Sequence, residues 1–178
     1  MISKNEPLVP IGIDIERLVH SREVGCLAVQ LGREMFDWDE QHCQQMFLLG
    51  LVHDCGYEFV DDLLDHPIVG SNLLKESGYF YWREVRWHGI PHAPYYSNEL
   101  LVLNIADLLV GRDGRRVTLI QRLNDIARRY GTESEQFIRA KQLVCEIDAS
   151  LEKIGSNLRV LRELWNPENA EKECGDLL

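Results

Sequence analysis

The chain has 178 residues, a length typical of one domain with a substantial buried core. Its 29 acidic and 19 basic residues give a net charge of −10, which argues against non-specific binding to nucleic acid or to an anionic membrane. Five cysteines without a CxxC pair are typical of reduced thiols in a cytoplasmic protein, and no apolar run has the length of a signal peptide or a membrane span.

Apolar residues with helical spacing predict two helices at the start of the chain. The first helix is expected over 13–36 and carries His20. The second helix follows the N-cap residue Asp39 and ends at the doublet His53-Asp54. A glycine after the doublet permits a sharp turn, which would leave both side chains at a helix end.

The next part of the chain predicts two shorter helices. His66-Pro67 opens the first, since proline suits the first helical turn. The second is expected over 79–88 and ends with His88. Two prolines and two tyrosines follow over 89–97, which is typical of a loop.

The run over 98–109 is apolar on nearly all sides, as expected of a central helix. Asp107 lies within this run and is therefore conspicuous. Sustained two-residue alternation, the signature of strands, is almost absent along the chain. The predicted fold class is all-α.

The C-terminal third has apolar residues at alternating spacings of three and four. We expect a helical metal-binding domain over 1–131, an amphipathic helical extension over 132–166 and a polar tail over 167–178. The extension would pack on its own domain as a long helix or hairpin, or form a homodimer interface. The heptad positions are Phe137, Ala140, Val144, Ile147, Leu151, Ile154, Leu158, Leu161 and Trp165.

Six side chains along these helices could bind metal ions. A carboxylate in an apolar helix is costly without a cation or several hydrogen-bond donors, so Asp107 favours a metal site over separate structural roles. Mixed imidazole and carboxylate ligands suit iron, manganese, cobalt or zinc, whereas an all-oxygen site would favour magnesium or calcium. The candidate ligands are His20, His53, Asp54, His66, His88 and Asp107.

Other polar residues could bind substrate. His92 could orient a phosphate or act as a catalytic acid, or it could be a surface residue of its loop. Arg112 and Arg115 belong to a basic island in an acidic chain, where guanidinium groups could hold phosphate oxygens or form local ion pairs. Arg86 has the same two interpretations.

The order of a histidine, a His-Asp doublet and a distal aspartate resembles the HD-domain superfamily of metal-dependent phosphohydrolases. The matching residues are His20, His53-Asp54 and Asp107, and the resemblance extends to Arg129. It implies a compact HD-domain helical bundle that hydrolyses a nucleotide or dinucleoside polyphosphate with metal-activated water. It also implies one or two metal ions: iron or manganese, with cobalt, nickel, zinc or magnesium as further options.

The segments that contain His66 and His88 are similar to those of members that hold two metal ions, where Asp54 would bridge the ions and be catalytic. The stretches His-Pro-Ile-Val-Gly-Ser-Asn-Leu-Leu and Leu-Asn-Ile-Ala-Asp-Leu-Leu resemble bacterial symmetrical dinucleoside tetraphosphate hydrolases. The chain departs from that branch at Tyr57, where lysine is common. Glu58 is displaced by one position from the glutamate of the alarmone hydrolases.

Two other functions share this ligand pattern. The pattern is also similar to that of HD-domain di-iron oxygenases, which cleave C–C or C–P bonds with dioxygen. A metal-stabilised helical module that signals through its C-terminal heptads would be non-enzymatic. The sequence therefore predicts a phosphorylated small molecule as the substrate, with a nucleotide as the first choice. The oxygenase and the signalling module are the alternatives.

Overall fold

The computed structural model describes residues 14–154 and 159–165, and within these ranges the chain is built from helices. No β-strand occurs there, and Val110 and Arg116 form only an isolated bridge. The all-α prediction is therefore confirmed. No helix in the described ranges is long and apolar enough to cross a membrane. The helices are α1 (Ile15–Phe36), α2 (Glu40–Val52), α3 (His66–Glu76), α4 (Trp82–Trp87), α5 (Asn98–Leu108), α6 (Leu119–Tyr130), α7 (Glu135–Ile154) and α8 (Arg159–Leu164), with 3₁₀ helices at Cys55–Phe59 and Leu63–Asp65.

Local capping sets where the first three helices begin. The side chains of Asp14 and Asp39 cap α1 and α2 by accepting hydrogen bonds from backbone N–H groups, at 3.0 and 2.8 Å. Pro67 lies in the first turn of α3. The predicted starts of α2 and α3 are confirmed. The start of the first helix was expected at residue 13, which lies outside the described residues; α1 begins after its cap at Asp14.

The short helix predicted over 79–88 is confined to α4. It begins later because the chain must first leave α3. Gly78 adopts a left-handed conformation with φ of 78°, and the backbone N–H of Tyr79 donates to the carbonyl of Leu74 at 2.9 Å. This pattern ends a helix by satisfying its last carbonyl groups. His88 follows α4 directly, which places its side chain at a helix end.

Helices α1 and α2 pack closely because glycines meet where they cross. A Cβ atom on Gly50 would lie 2.4 Å from the Cα of Gly25, a separation that no side chain could tolerate. This close approach brings His20 of α1 next to His53 at the end of α2, with ring centroids 5.6 Å apart.

Helix α5 lies in the middle of the fold and packs against α1, α2 and α4. Its C-terminal end carries Asp107 towards the two histidines of α1 and α2. Asn104, one turn earlier, accepts a hydrogen bond from the Gly89 backbone at 2.9 Å and so fixes the loop after α4. The prediction of a central helix that is apolar on nearly all sides is confirmed. The buried apolar residues of α5 are Leu100, Leu101, Val102, Leu103, Ile105, Ala106 and Leu108.

A second glycine contact places α3 against the turn that follows the His-Asp doublet. A Cβ atom on Gly56 would lie 2.0 Å from the backbone oxygen of His66 and 2.6 Å from the nitrogen of Gly70. Only glycine can occupy position 56 at this separation. The contact brings His66, at the start of α3, to the carboxylate of Asp54.

Helix α7 packs against α6 and buries most of its heptad positions in the core of its own chain. Ile154 at its end is 36% exposed. Position 158 and the predicted tail over 167–178 lie outside the described residues. A homodimer through this helix, and the division at residues 131 and 166, stay predictions. The buried heptad residues are Phe137, Ala140, Val144, Ile147, Leu151, Leu161 and Trp165.

Candidate metal centre

The predicted metal ligands converge from three helices, α1, α3 and α5, and from the C-terminal ends of α2 and α4. Two groups of described residues have ligand atoms within 4.8 Å of one another, and Asp54 belongs to both. Asp107 joins the first group through its Oδ1, which is 3.1 Å from Nε2 of His20 and 3.9 Å from Nε2 of His53. The groups are His20, His53 and Asp54, and Asp54, His66 and His88.

Asp54 is the central side chain of the cluster. Its Oδ1 lies 3.3 Å from Nε2 of His53, 3.4 Å from Nε2 of His66 and 3.5 Å from Nε2 of His88. Its Oδ2 accepts a hydrogen bond from Nη1 of Arg17 at 2.9 Å. One buried carboxylate therefore contacts both groups of histidines.

All four histidines of the cluster present the same ring nitrogen to it. Each Nδ1 lies within hydrogen-bond distance of a backbone carbonyl oxygen, which can only accept a proton. In the neutral form of each ring the Nδ1–H tautomer is therefore favoured, which leaves the Nε2 lone pair directed towards the carboxylates. The contacts are His20 to Gly111 at 3.0 Å, His53 to Gly50 at 2.7 Å, His66 to Leu63 at 2.5 Å and His88 to Val85 at 2.6 Å.

Two features of this arrangement fit a bound cation. Among the described residues, Nε2 of His53 is buried without a hydrogen-bond partner, although it lies 3.3 Å from Oδ1 of Asp54. Nε2 of His66 lies 3.0 Å from Nε2 of His88. Two neutral rings that both donate through Nδ1 face each other with lone pairs at this point, which is unfavourable unless a proton or metal ion lies between them. The donor set therefore fits metal ions.

The cluster holds its carboxylates in the ionised form. Burial raises the pKa of Asp54 and of Asp107, but the neighbouring histidines outweigh burial and hold both pKa values well below the usual range. Burial lowers the pKa of His53, yet the charges of Asp54 and Asp107 outweigh it and raise that pKa to about 9. Burial lowers the pKa of His88, which favours a neutral ligand.

A cavity of about 240 Å³ opens beside the cluster. Three of the candidate ligands on its wall are His20, Asp54 and His66, and apolar side chains of Leu64 and Ile126 form another part of the wall. The described arginines that line it are Arg17, Arg112, Arg122 and Arg129. Guanidinium groups next to metal ligands are suited to bind phosphate.

A second cavity of about 360 Å³ lies next to the first. Arg112 and Arg122 line both cavities, so these two side chains form the boundary between them. The remaining wall of the second cavity is mainly polar and includes Glu16, Gln121 and Asp125. The two cavities therefore share two arginine side chains in their walls.

Three predicted catalytic or substrate-binding residues do not line the cavity beside the cluster. The His92 side chain is 75% exposed, and its Nδ1 contacts Glu146 at 2.6 Å. The Arg115 side chain is 85% exposed on the turn after α5. The guanidinium of Arg86 lies over the ring of Trp87, 5.4 Å from its centroid. Contacts with neighbouring residues or exposed positions on turns thus keep these three side chains away from the cavity. Of the three predicted arginines, only Arg112 lines the cavity.

Arg17, Arg122 and Arg129 line the cavity, but motif-based prediction missed them. Arg17 lies three residues before His20 on α1, so helical spacing alone puts both on one face. Arg122 and Arg129 are seven residues apart on α6, which also puts them on one face. Nothing in their local sequence indicates that this face of α6 points to the cluster.

The cysteine next to the doublet is not an activated nucleophile. Burial and the nearby charge of Asp54 raise the pKa of the Cys55 thiol to about 11. Its sulfur packs close to Gly70 of α3. This environment makes Cys55 a packing residue. The described cysteines, including Cys26, Cys43 and Cys145, are free thiols.

The family model described as "HD domain" matches residues 17–149. A 75-residue alignment gives 39% identity to the 3'3'-cGAMP-specific phosphodiesterase 1 of Vibrio cholerae serotype O1 and covers 35% of this chain. The chain spans only 17% of the length of that relative. No solved structure matches the chain significantly.

Metal binding should depend on pH through His53. Since the pKa of His53 is about 9 in the metal-free protein, its ring is protonated near neutral pH, and the proton must leave before Nε2 can bind metal. Raising the pH towards 9 should therefore strengthen Mn²⁺ binding, by up to about tenfold per pH unit for one released proton. Calorimetric titration in two buffers with different ionisation enthalpies measures the released proton. A Mn²⁺ affinity that does not change with pH would contradict the assignment of His53 as a protonated ring that must lose its proton to bind metal. The control is His42→Asn, a change outside the cluster.

Proposed function

The chain belongs to the HD domain family, and from this membership we propose that it is a metal-dependent phosphohydrolase that acts on a nucleotide-like substrate. The observation that carries the proposal is the position of Asp54 between two groups of histidines. A carboxylate with two oxygens can bind two metal ions, and paired ions are common in enzymes that cleave phosphate bonds.

The residues divide into two ligand sets around Asp54. His20, His53 and Asp107 would hold one ion, and His66 and His88 would hold the other. When bound, such ions supply an activated water and positive charge for a phosphoryl oxygen. The backbone carbonyl groups that accept from each Nδ1 keep the imidazole rings in the binding orientation.

The arginines of the cavity support a substrate with several negative charges. Arg112 pairs with Asp14 at 3.1 Å and with Glu16 at 2.7 Å, and its side chain is 57% exposed. Arg122 lies 3.6 Å from Asp107. Exposed pairs of this kind are weak, so a phosphate chain can replace the carboxylates as partner of Arg112. The arginines would thus hold phosphate next to the ligand cluster.

The finer proposal is that the substrate contains two nucleosides. The two cavities that meet at Arg112 and Arg122 favour an extended molecule with phosphate at the boundary. A dinucleoside polyphosphate is the first candidate, in agreement with the sequence resemblance. A cyclic dinucleotide is the second candidate, because the Vibrio cholerae relative is a 3'3'-cGAMP-specific phosphodiesterase.

We propose iron or manganese as the metal, since the ligands mix imidazole and carboxylate groups. A cytoplasmic location and a homodimer stay predictions from the sequence. A di-iron oxygenase would consume dioxygen when loaded with iron, whereas a signalling module would bind metal and hydrolyse no phosphate compound. Measurements of oxygen consumption and phosphate release on one metal-loaded preparation separate these alternatives from the phosphohydrolase.

Replacing the central carboxylate should remove both metal binding and turnover. In Asp54→Asn the side chain keeps its shape but loses the charge that both ligand groups contact. We expect metal content to fall below one equivalent and hydrolysis to fall by about a thousandfold or more, since paired residues in such sites act as a unit. Elemental analysis and a panel of nucleotides, dinucleoside polyphosphates and cyclic dinucleotides measure both effects.

The matched control is Asp61→Asn, the same change at an exposed position. It should keep the metal and the activity of the unmodified protein. Full hydrolysis by a metal-free Asp54→Asn protein would reject the metal-dependent mechanism.

Arg112 and Arg115 provide a paired test of substrate binding. Both are predicted phosphate ligands, but only Arg112 lines the cavities. Arg112→Ala should raise KM by about tenfold, the loss of one charged hydrogen bond to phosphate, with a smaller change in kcat. Arg115→Ala should change KM by less than about twofold. Steady-state kinetics on the best substrate measure both KM values. A KM that rises only in Arg115→Ala would overturn the assignment of Arg112 as the phosphate-binding residue.

A further inference from the structure

We propose that Tyr57 is a positioning residue that holds the imidazole of His66 and the guanidinium of Arg17 in one stack at the edge of the metal centre. The inference rests on the proposed function, because it treats His66 as a ligand of the second ion and Arg17 as a group that meets phosphate. It concerns a position where the chain departs from the dinucleoside tetraphosphate hydrolases that its sequence resembles.

The aromatic ring of Tyr57 lies between the two other groups. It stacks on the His66 ring with centroids 3.7 Å apart and an angle of 17° between the planes. On its other side the Arg17 guanidinium carbon lies 3.5 Å from the Tyr57 centroid. Arg17 also donates to Oδ2 of Asp54 at 2.9 Å. The stack therefore connects the second ligand group with the carboxylate that both groups share.

His66 is the ligand histidine that most needs such support. Its side chain is 13% exposed, whereas those of His53 and His88 are 0% and 2% exposed. It is the first residue of α3, and one backbone carbonyl, that of Leu63, orients its Nδ1. The flat face of Tyr57 supplies a second restraint on the ring and so keeps Nε2 directed at Asp54.

Tyr57 is tied to the doublet through the backbone. It lies in the 3₁₀ helix that follows Asp54, and its N–H donates to the Asp54 carbonyl at 3.1 Å. No hydrogen bond of its hydroxyl occurs among the described residues. The ring rather than the hydroxyl is therefore the part that positions its neighbours, and phenylalanine should replace it.

Arg17 can meet a substrate without leaving the stack. Its side chain is 29% exposed and lines the cavity beside the cluster, so its guanidinium has an open side. A cation above an aromatic face can form hydrogen bonds at its edge while it remains stacked. Tyr57 would thus place the phosphate-facing Arg17 and the metal ligand His66 at a fixed separation.

The test is a metal titration of the full chain with Mn²⁺, monitored by calorimetry and by elemental analysis. The unmodified protein and Tyr57→Phe should each bind two ions. Tyr57→Leu should bind the first ion with nearly unchanged affinity and the second about tenfold or more weakly, as expected when a group that orients a ligand is lost. Tyr130→Leu, the same change elsewhere on the cavity wall, is the control and should bind both ions.

Kinetics provide a second readout. In Tyr57→Leu, KM should rise several-fold, because Arg17 loses its stacked position, and excess Mn²⁺ should restore kcat more than KM. Tyr57→Phe should match the unmodified protein in both constants. If Tyr57→Leu does not fold by circular dichroism, Tyr57→Met fills more of the same volume without an aromatic plane and takes its place.

The possible results are distinct. The positioning role would be overturned if Tyr57→Leu bound the second ion as tightly as the unmodified protein. It would also be overturned if Tyr57→Phe bound the second ion as weakly as Tyr57→Leu. An unmodified protein that binds a single ion would also overturn it. An unmodified protein that binds two ions but hydrolyses no phosphate compound would reject the proposed function alone, because the titration requires no turnover.

Discussion

One buried carboxylate organises the functional part of this protein. Oδ1 of Asp54 contacts Nε2 atoms from three histidines, which arrive from the end of α2, the start of α3 and the end of α4. Buried charges of this kind destabilise a fold unless opposite charges or metal ions compensate them. The close packing at the glycine contacts is what brings these helix ends together, so the fold and the site depend on the same few backbone approaches.

Much of this arrangement could be predicted because its signals are local. Helical periodicity, the Asp39 cap and the His66-Pro67 pair define helices, and a carboxylate such as Asp107 in an apolar helix indicates a buried cation site. The candidate ligands could be recognised in the sequence because each is costly to bury alone. The family match then confirms the resemblance that these residues carry.

The substrate side of the cavity was less predictable because it depends on packing between distant helices. Arg122 reaches the cluster only because α6 lies beside Asp107, and no local pattern encodes that contact. Conversely, His92 looks suitable by its place in a loop near His88, but its side chain pairs with Glu146 of α7. Charged residues on turns and loops can point in several directions, so their sequence position alone does not give their partners.

A crystal structure of the protein grown with Mn²⁺, with anomalous diffraction recorded to locate the ions, would test the shared-carboxylate centre most directly. We expect two anomalous peaks, one on each side of Asp54, with His20, His53 and Asp107 near one and His66 and His88 near the other. A single peak that does not contact Asp54, or no peak in manganese-loaded crystals, would contradict the shared-carboxylate centre and the mechanism that depends on it.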